Sequence, residues 1–237
     1  MSVRVLIFGT SYVDNLIRRR LMDQWVDLHS KINADCEILI VDSNSPQFWD
    51  GPVGLLHDRC KRVMVETFTD NVGHLSNGGR DGWGRAFCRG LQAAVNFGAD
   101  YVVHIEGDSL CRLDVMKICE QMRDGGGLVW SVPVIGTKHV ERGWVETGLM
   151  FMDVEYVGER GLIKAYDWQD GISKKYPHTP EAVLHELIGD DLEMQNWRNL
   201  RDDQKQLTVD NVKDYDWISH ATPEIYDAFV AHNMVAA

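Results

Sequence analysis

Two carboxylates separated by one glycine, Glu106-Gly107-Asp108, close the apolar run Tyr101 to Ile105. Such a run reads as a buried strand, and its pleat and following turn can aim both acids into one crevice. A hard divalent cation, Mg2+ or Mn2+, takes oxygen ligands of this kind, typically one or two carboxylates, with water and substrate phosphates in the remaining positions. An isolated acidic pair is usually two solvated turn residues. This pair stands where open α/β sheets bind ligands, at the carboxyl end of a strand. Asp42 has a comparable place after the run Glu37 to Val41. Its carboxylate suits a base N–H or a ribose hydroxyl, and equally suits an Asx turn over Ser43 to Pro46. Trp144 and Trp168 each offer an aromatic face to a sugar, and core packing is the simpler reading of any one of the eight tryptophans.

The elements that must position these residues alternate. Val3 to Phe8 is a continuous apolar run ending in Gly9-Thr10-Ser11, which predicts a buried parallel strand and a turn. From Asp14, the apolar groups Leu16, Ile17, Leu21, Trp25 and Leu28 recur at helical spacing. Strands are expected at Glu37 to Val41 and Val63 to Phe68. A glycine-rich loop, Gly73 to Gly84, leads into a helix whose stripe runs from Trp83 to Val95 and stops at Gly98. After the strand ending at Ile105 the pattern predicts a helix over Asp114 to Met122, a strand over Leu128 to Ile135 and extended chain over Val145 to Val154. Gly158 to Pro177 reads as a loop facing an acceptor. Thr179 and Pro180 cap and open a helix with a Val183, Leu184, Leu187, Ile188 stripe, and a second helix is expected from Asp190 or Asp191 through Leu192, Trp197 and Leu200.

Strands alternating with helices over 237 residues predict one α/β domain with a central, mostly parallel sheet flanked by helices. The balance of 24 basic and 36 acidic residues, a formal charge of -12, argues against a nucleic-acid partner. Five cysteines, Cys36, Cys60, Cys88, Cys111 and Cys119, form no C-x-x-C pair, which fits reduced thiols and a cytoplasmic location. No apolar run reaches the length of a membrane span and no leader pattern opens the sequence. Peripheral attachment to a membrane stays open. Dinucleotide and Walker-type sites are disfavoured, because Gly9-Thr10-Ser11 lacks G-x-G-x-x-G and Gly78, Gly79, Gly82 and Gly84 follow no Walker spacing.

Four stretches, IFGTS, ILIVDSNS, GLQAAVNFGADYVVHIEGDSL and GDDLEM, occur in an order that resembles the GT-A glycosyltransferases, especially the inverting family 2 type, over roughly residues 3 to 220. The third is the most specific, since helix, turn, strand and acidic motif occur together. The resemblance implies a GT-A fold, a nucleotide-sugar donor, a carbohydrate or other hydroxyl acceptor, and a divalent metal, Mn2+ or Mg2+. Residues 1–110 would form the nucleotide-binding half and residues 111–237 the acceptor half. It places Phe8, Gly9 and Thr10 in the first donor-contacting turn, Asp42 on the nucleoside, and Asn71, Arg80, Trp83, Arg85 and Gly107 on the donor side. Glu106 and Asp108 become metal ligands, with His220 as a late third ligand or a structural hydrogen bonder. Asp191 is nominated as catalytic base and Asp190 as acceptor ligand, with helix capping as their alternative. Thr147 and Gly148, opening TGLMFM, resemble the strand lining the sugar and acceptor pocket, beside Trp144.

Two departures stand out. The family's A-R-N-x-G segment is here Ala86-Phe87-Cys88-Arg89-Gly90, leaving Arg80, Arg85 or Arg89 to meet the diphosphate, and the loop Asn71 to Gly84 is longer than the pattern. A retaining transferase, a nucleotidyltransferase or a non-catalytic nucleotide or sugar binder would use the same fold.

Overall fold

A computed structural model describes residues 2–46, 63–71, 80–133, 145–165, 180–201 and 206–234. Its main sheet has seven strands, and β1 (Val5–Ser11) lies near its centre. On one side β1 pairs in parallel with β2 (Glu37–Asp42), and β2 with β3 (Val63–Thr67). On the other it pairs in parallel with β4 (Tyr101–Ile105).

Strand periodicity explains the layering. Alternate side chains point to opposite faces. Val5, Ile7, Ile38, Ile40, Val103 and Ile105 share one core with Met22, Trp25, Val26 and Leu28 of α1 (Leu16–Ile32). Leu6, Phe8, Leu39, Val41 and Val102 share the other core with Ala86, Phe87, Leu91 and Ala94 of α2 (Arg80–Phe97). A strand covered on both faces has no polar side to show, hence the unbroken apolar runs of the sequence.

Beyond β4 come β5 (Ser109–Cys111), α3 (Val115–Gly125), β6 (Val129–Ser131) and β7 (Leu149–Asp153). β7 is antiparallel to both β4 and β6. Asp114 caps α3 by accepting from Lys117 N at 3.1 Å, and Gly126, at φ 72°, ends it. The expected loop after Gly158 begins instead with α4 (Val154–Glu159) and α5 (Leu162–Ala165). The rest of that loop, with Trp168 and the Thr179 cap, lies outside the described residues.

The helix expected from Asp190 or Asp191 is absent. α6 (Pro180–Ile188) ends in a single 3-10 turn, Gly189–Asp191, and the chain continues as β8 (Leu192–Met194), then β9 (Asn199–Arg201). β8 completes the sheet edge, pairing in parallel with β6, and Gln195 N donates to Ser131 O at 2.8 Å. A helix here would leave the β6 edge without those partners, a cost that outweighs the weak periodicity of Leu192, Trp197 and Leu200. β10 (Trp217–Ser219) lies between β5 and β9 in a second, three-stranded sheet, and α7 (Pro223–Met234) buries Ile225, Tyr226 and Phe229 in the α1-side core.

Candidate functional site

Glu106, Gly107 and Asp108 turn away from the end of β4 against the end of β1. Gly107 N donates to Thr10 O at 3.2 Å. A Cβ on residue 107 would stand 2.7 Å from that same oxygen, so only glycine allows the two strand ends this close. Glu106 N donates to Gly148 O at 3.1 Å, and Ser109 N to Glu106 O at 3.0 Å. The half-buried Glu106 carboxylate is held by the Trp83 indole N–H at 2.8 Å, with the Thr147 hydroxyl at 3.5 Å.

The third member of the cluster arrives by strand register. β5 and β10 are antiparallel, with Trp217 opposite Cys111 and Ser219 opposite Ser109. The next pair along is His220 with Asp108. His220 has a left-handed backbone, φ 56°, and its Nε2 lies 3.7 Å from Asp108 Oδ2. Tyr226 of α7 fastens the junction: its hydroxyl donates to Asp108 O and accepts from Ala221 N at 3.1 Å. One ligand atom each from Glu106, Asp108 and His220 fall within 4.8 Å of one another. Two carboxylate oxygens and an imidazole nitrogen at this separation fit a divalent cation such as Mn2+, whose bonds to such atoms are near 2 Å.

These groups open into a cleft of about 380 Å³ lined also by Thr10, Ser11, Tyr12, Val13, Arg18, Leu21, Met22, Thr147 and Glu181. Beneath it, His104 of β4 is fully buried, and burial pushes its pKa down to about 3. Its ring is therefore neutral. Nδ1 lies 2.8 Å from Thr147 O, which can only accept, so the proton sits there and Nε2 faces the Thr10 hydroxyl at 3.5 Å. One imidazole thus ties together the two segments that flank Glu106.

The structure does not bring every residue named from the sequence to this cleft. Phe8 packs on Phe87 and His104, and Gly9 backs onto the Trp25 ring, so both serve the core. Asp42 is fully buried, and its two oxygens accept from Ser45 N at 2.9 Å and from the Ser45 hydroxyl, which in turn accepts from Val13 N. That is the Asx-turn reading. Arg85 stacks over Phe68 at 3.9 Å and binds Asp70 at 2.9 Å, so its guanidinium faces the protein. Gly148 makes room for the Trp217 ring, which a Cβ would meet at 2.6 Å. Asn71 is half-buried and does not line the cleft, Arg80 begins α2, and Trp144 lies outside the described residues.

Asp190 and Asp191 are the clearest separation. The ladder Leu192 to Val129 to Met152 to Val102 puts Leu192 level with Val102. Asp191 thus stands one residue before that level, and Glu106 four residues beyond it. With three strand spacings between β4 and β8, they are on the order of 20 Å apart. Asp191 accepts from the Tyr156 hydroxyl at 2.8 Å and pairs with Arg160. The Tyr156 hydrogen bond, followed by Arg160, holds its pKa below the usual carboxylate range. This is a closed structural cluster at the opposite end of the sheet, and it does not supply a base to the cleft.

Sequence reasoning missed Ser11, Tyr12, Arg18, His104, Glu181 and Tyr226. Arg18 continues the α1 pattern, and Glu181 follows Pro180 in the first turn of α6, a place the sequence marks only as a helix start.

No protein-family model matches the sequence, and no curated protein matches it. Solved structures do. A mannosyltransferase of Pyrobaculum calidifontis in complex with GDP-Man and Mn2+ is similar over 68% of this chain and 47% of its own, at 15% identity and a TM-score of 0.50. The bifunctional glycosyltransferase WbbM is similar over 98% of this chain and 49% of its own, at 14% identity and a TM-score of 0.58. LgtC is similar over 92% and 88%, at 9% identity and a TM-score of 0.58. This chain therefore spans about half the length of the first two. The fold is that of the GT-A glycosyltransferases.

Proposed function

We propose that this protein is a metal-dependent glycosyltransferase that moves a sugar from a nucleoside diphosphate donor to an acceptor hydroxyl. The observation that carries the reading is the convergence of Glu106, Asp108 and His220 from two sheets at the mouth of a cleft on this fold. The cleft's charge points the same way. Glu106, Asp108 and Glu181 line it against Arg18, which pairs with Asp14 at 3.1 Å, so a diphosphate would meet net repulsion without a bridging cation. A divalent ion held by the triad would neutralise charge on the departing diphosphate. Thr10, Gly107 and Trp83 serve the donor side, Trp83 through its grip on Glu106, and Thr147 serves the sugar side. The nucleotide side draws mainly on residues 1–110 and the acceptor side on 111–237.

The test is hydrolysis of GDP-mannose, UDP-glucose, UDP-galactose and UDP-N-acetylglucosamine by the purified protein with Mn2+. Release of nucleoside diphosphate from at least one, abolished by EDTA and restored by Mn2+, is expected. Release unchanged by EDTA removes the metal; no release from any leaves a binding protein on this fold.

A further inference from the structure

The sheet pairing that brings His220 to Asp108 stops one step short of them. β10 and β5 are in register from Trp217 opposite Cys111 to Ser219 opposite Ser109, and the two ligand residues follow the last pair. His220 also stands in the left-handed region, φ 56°, which a residue with a Cβ keeps only where its surroundings hold it. α7 supplies that hold. The Tyr226 hydroxyl donates to Asp108 O and accepts from Ala221 N at 3.1 Å, so one oxygen bridges the backbone of the first ligand to the residue after the second. Its ring is packed in the α1-side core, which leaves that oxygen little room to move.

α7 is itself placed by α1. Asp227 accepts from Arg20 Nη2 at 2.6 Å and from the Gln24 side-chain amide, and Ile225, Tyr226 and Phe229 share a core with Trp25 and Val26. Met22 of the same helix packs on Gly107, its Cε standing 2.7 Å from where a Cβ would be. Thus α1 braces the Glu106-Gly107-Asp108 turn directly, and through α7 it braces the carbonyl of Asp108. Tyr226 does not line the cleft, so it reaches a bound ion only through its two backbone bonds.

Resting on the metal-dependent reading above, we propose that Tyr226 is a positioning residue for the metal centre: its hydroxyl sets the gap between Asp108 and His220, and with it the size of ion that the triad prefers. An ion with bonds near 2 Å needs its ligand atoms at one separation, whereas Ca2+, with bonds of about 2.3–2.6 Å in a flexible geometry, accepts a wider spread. Releasing the two backbones therefore costs the smaller ion more.

The experiment measures Mn2+ binding by the electron paramagnetic resonance signal of the free ion, and Ca2+ binding by its displacement of Mn2+, on the purified protein alone. Tyr226→Phe keeps the ring and removes the hydroxyl. It is expected to weaken Mn2+ about tenfold and Ca2+ less than about threefold, the size of a lost supporting contact. In a His220→Ala background, where there is no gap left to set, the same change is expected to cost Mn2+ less than about twofold. Ile225→Val, in the same helix and core, is expected to lower the melting temperature and leave both affinities unchanged. Mn2+ affinity unchanged in Tyr226→Phe, equal losses for both ions, a full tenfold loss in the His220→Ala background, or an Ile225→Val protein that matches Tyr226→Phe each overturns the assignment while leaving the metal reading in place. A Tyr226→Phe protein that does not fold overturns it too, because the hydroxyl would then serve the fold. An unaltered protein that binds no Mn2+ overturns both.

Discussion

The two ends of the main sheet both carry carboxylates and differ in what they gather around them. At the end where the parallel strands begin, Asp100 accepts from Arg4 N at 2.7 Å, Asp153 from Tyr156 N at 2.9 Å, and Asp191 from the Tyr156 hydroxyl beside Arg160. At the end where they finish, Asp108 meets His220 only beyond hydrogen-bond length and Glu181 Oε2 meets no described donor. Asp42 refines the contrast, for it stands at the second end but Ser45 closes it. Glu106 at that end is also met by protein donors, the Trp83 indole and the Thr147 hydroxyl, so what sets the second end apart is the cluster that Glu106, Asp108 and His220 form there.

Asp108→Ala is the most direct way to break this comparison. It should weaken Mn2+-dependent binding of nucleoside diphosphate by about a hundredfold or more, read by titration calorimetry, since a lost ligand exceeds the ten- to hundredfold cost of a lost supporting contact. Affinity unchanged within error would place Asp108 with the structural acids.

Acid probes the layer between the two ends. Burial lowers the pKa of both His29 and His104 to about 3, against about 6.5 in the unfolded chain. Between those values the unfolded chain binds more protons, so stability falls as pH falls from about 6.5 toward 3. The slope is about 1.4 kcal/mol per pH unit for each histidine, or about 2.7 kcal/mol for both. Urea melts at pH 7, 6 and 5 would show it, and a flat profile would mean that neither ring is held neutral.

Trp83→Phe removes the indole donor from Glu106 while keeping the stack on Phe87, whose centroid lies 4.6 Å away. A loss of about tenfold in metal affinity with little change in melting temperature is expected, because Trp83 orients a ligand without being one. An effect equal to that of Asp108→Ala would make the indole part of the binding surface itself.

The smallest effect belongs to Asp191→Asn. The amide still accepts from Tyr156, so turnover of a nucleotide sugar should stay within about threefold and the melting temperature should drop slightly as the Arg160 pair is lost. A collapse of turnover in a folded variant would overturn the division between the two ends.

The sequence was legible where local pattern and burial agree. Tyr101 to Ile105 is apolar because both faces are covered, so the strand and the acids at its end could be read together. GDDLEM was misread because three apolar residues at mixed spacing cannot separate a short strand from a helix, and the edge of β6, where Val129 pairs with Leu192, decided it from far upstream. His220 could be suspected only by resemblance, since its approach to Asp108 depends on a three-residue antiparallel pairing between distant segments. Glu181 and Asp191 show that acidity beside a helix carries no information about which partner the fold will supply.

Tyr226 gives the cleft a place in time. Its hydroxyl grips the carbonyl of Asp108 across 118 residues of chain. Closing a loop of that length costs about 4 kcal/mol in chain entropy, which the buried faces of α7 and β10 must offset before Asp108 and His220 can meet. During synthesis the strands β1 to β4 leave the ribosome long before α7, so the nascent protein has the centre of its sheet well before the Tyr226 contact can form. The meeting of Asp108 with His220, on this geometry, is the last contact the folding chain acquires, and a chain stalled before α7 would hold its strands without the Tyr226 tie that fastens that junction.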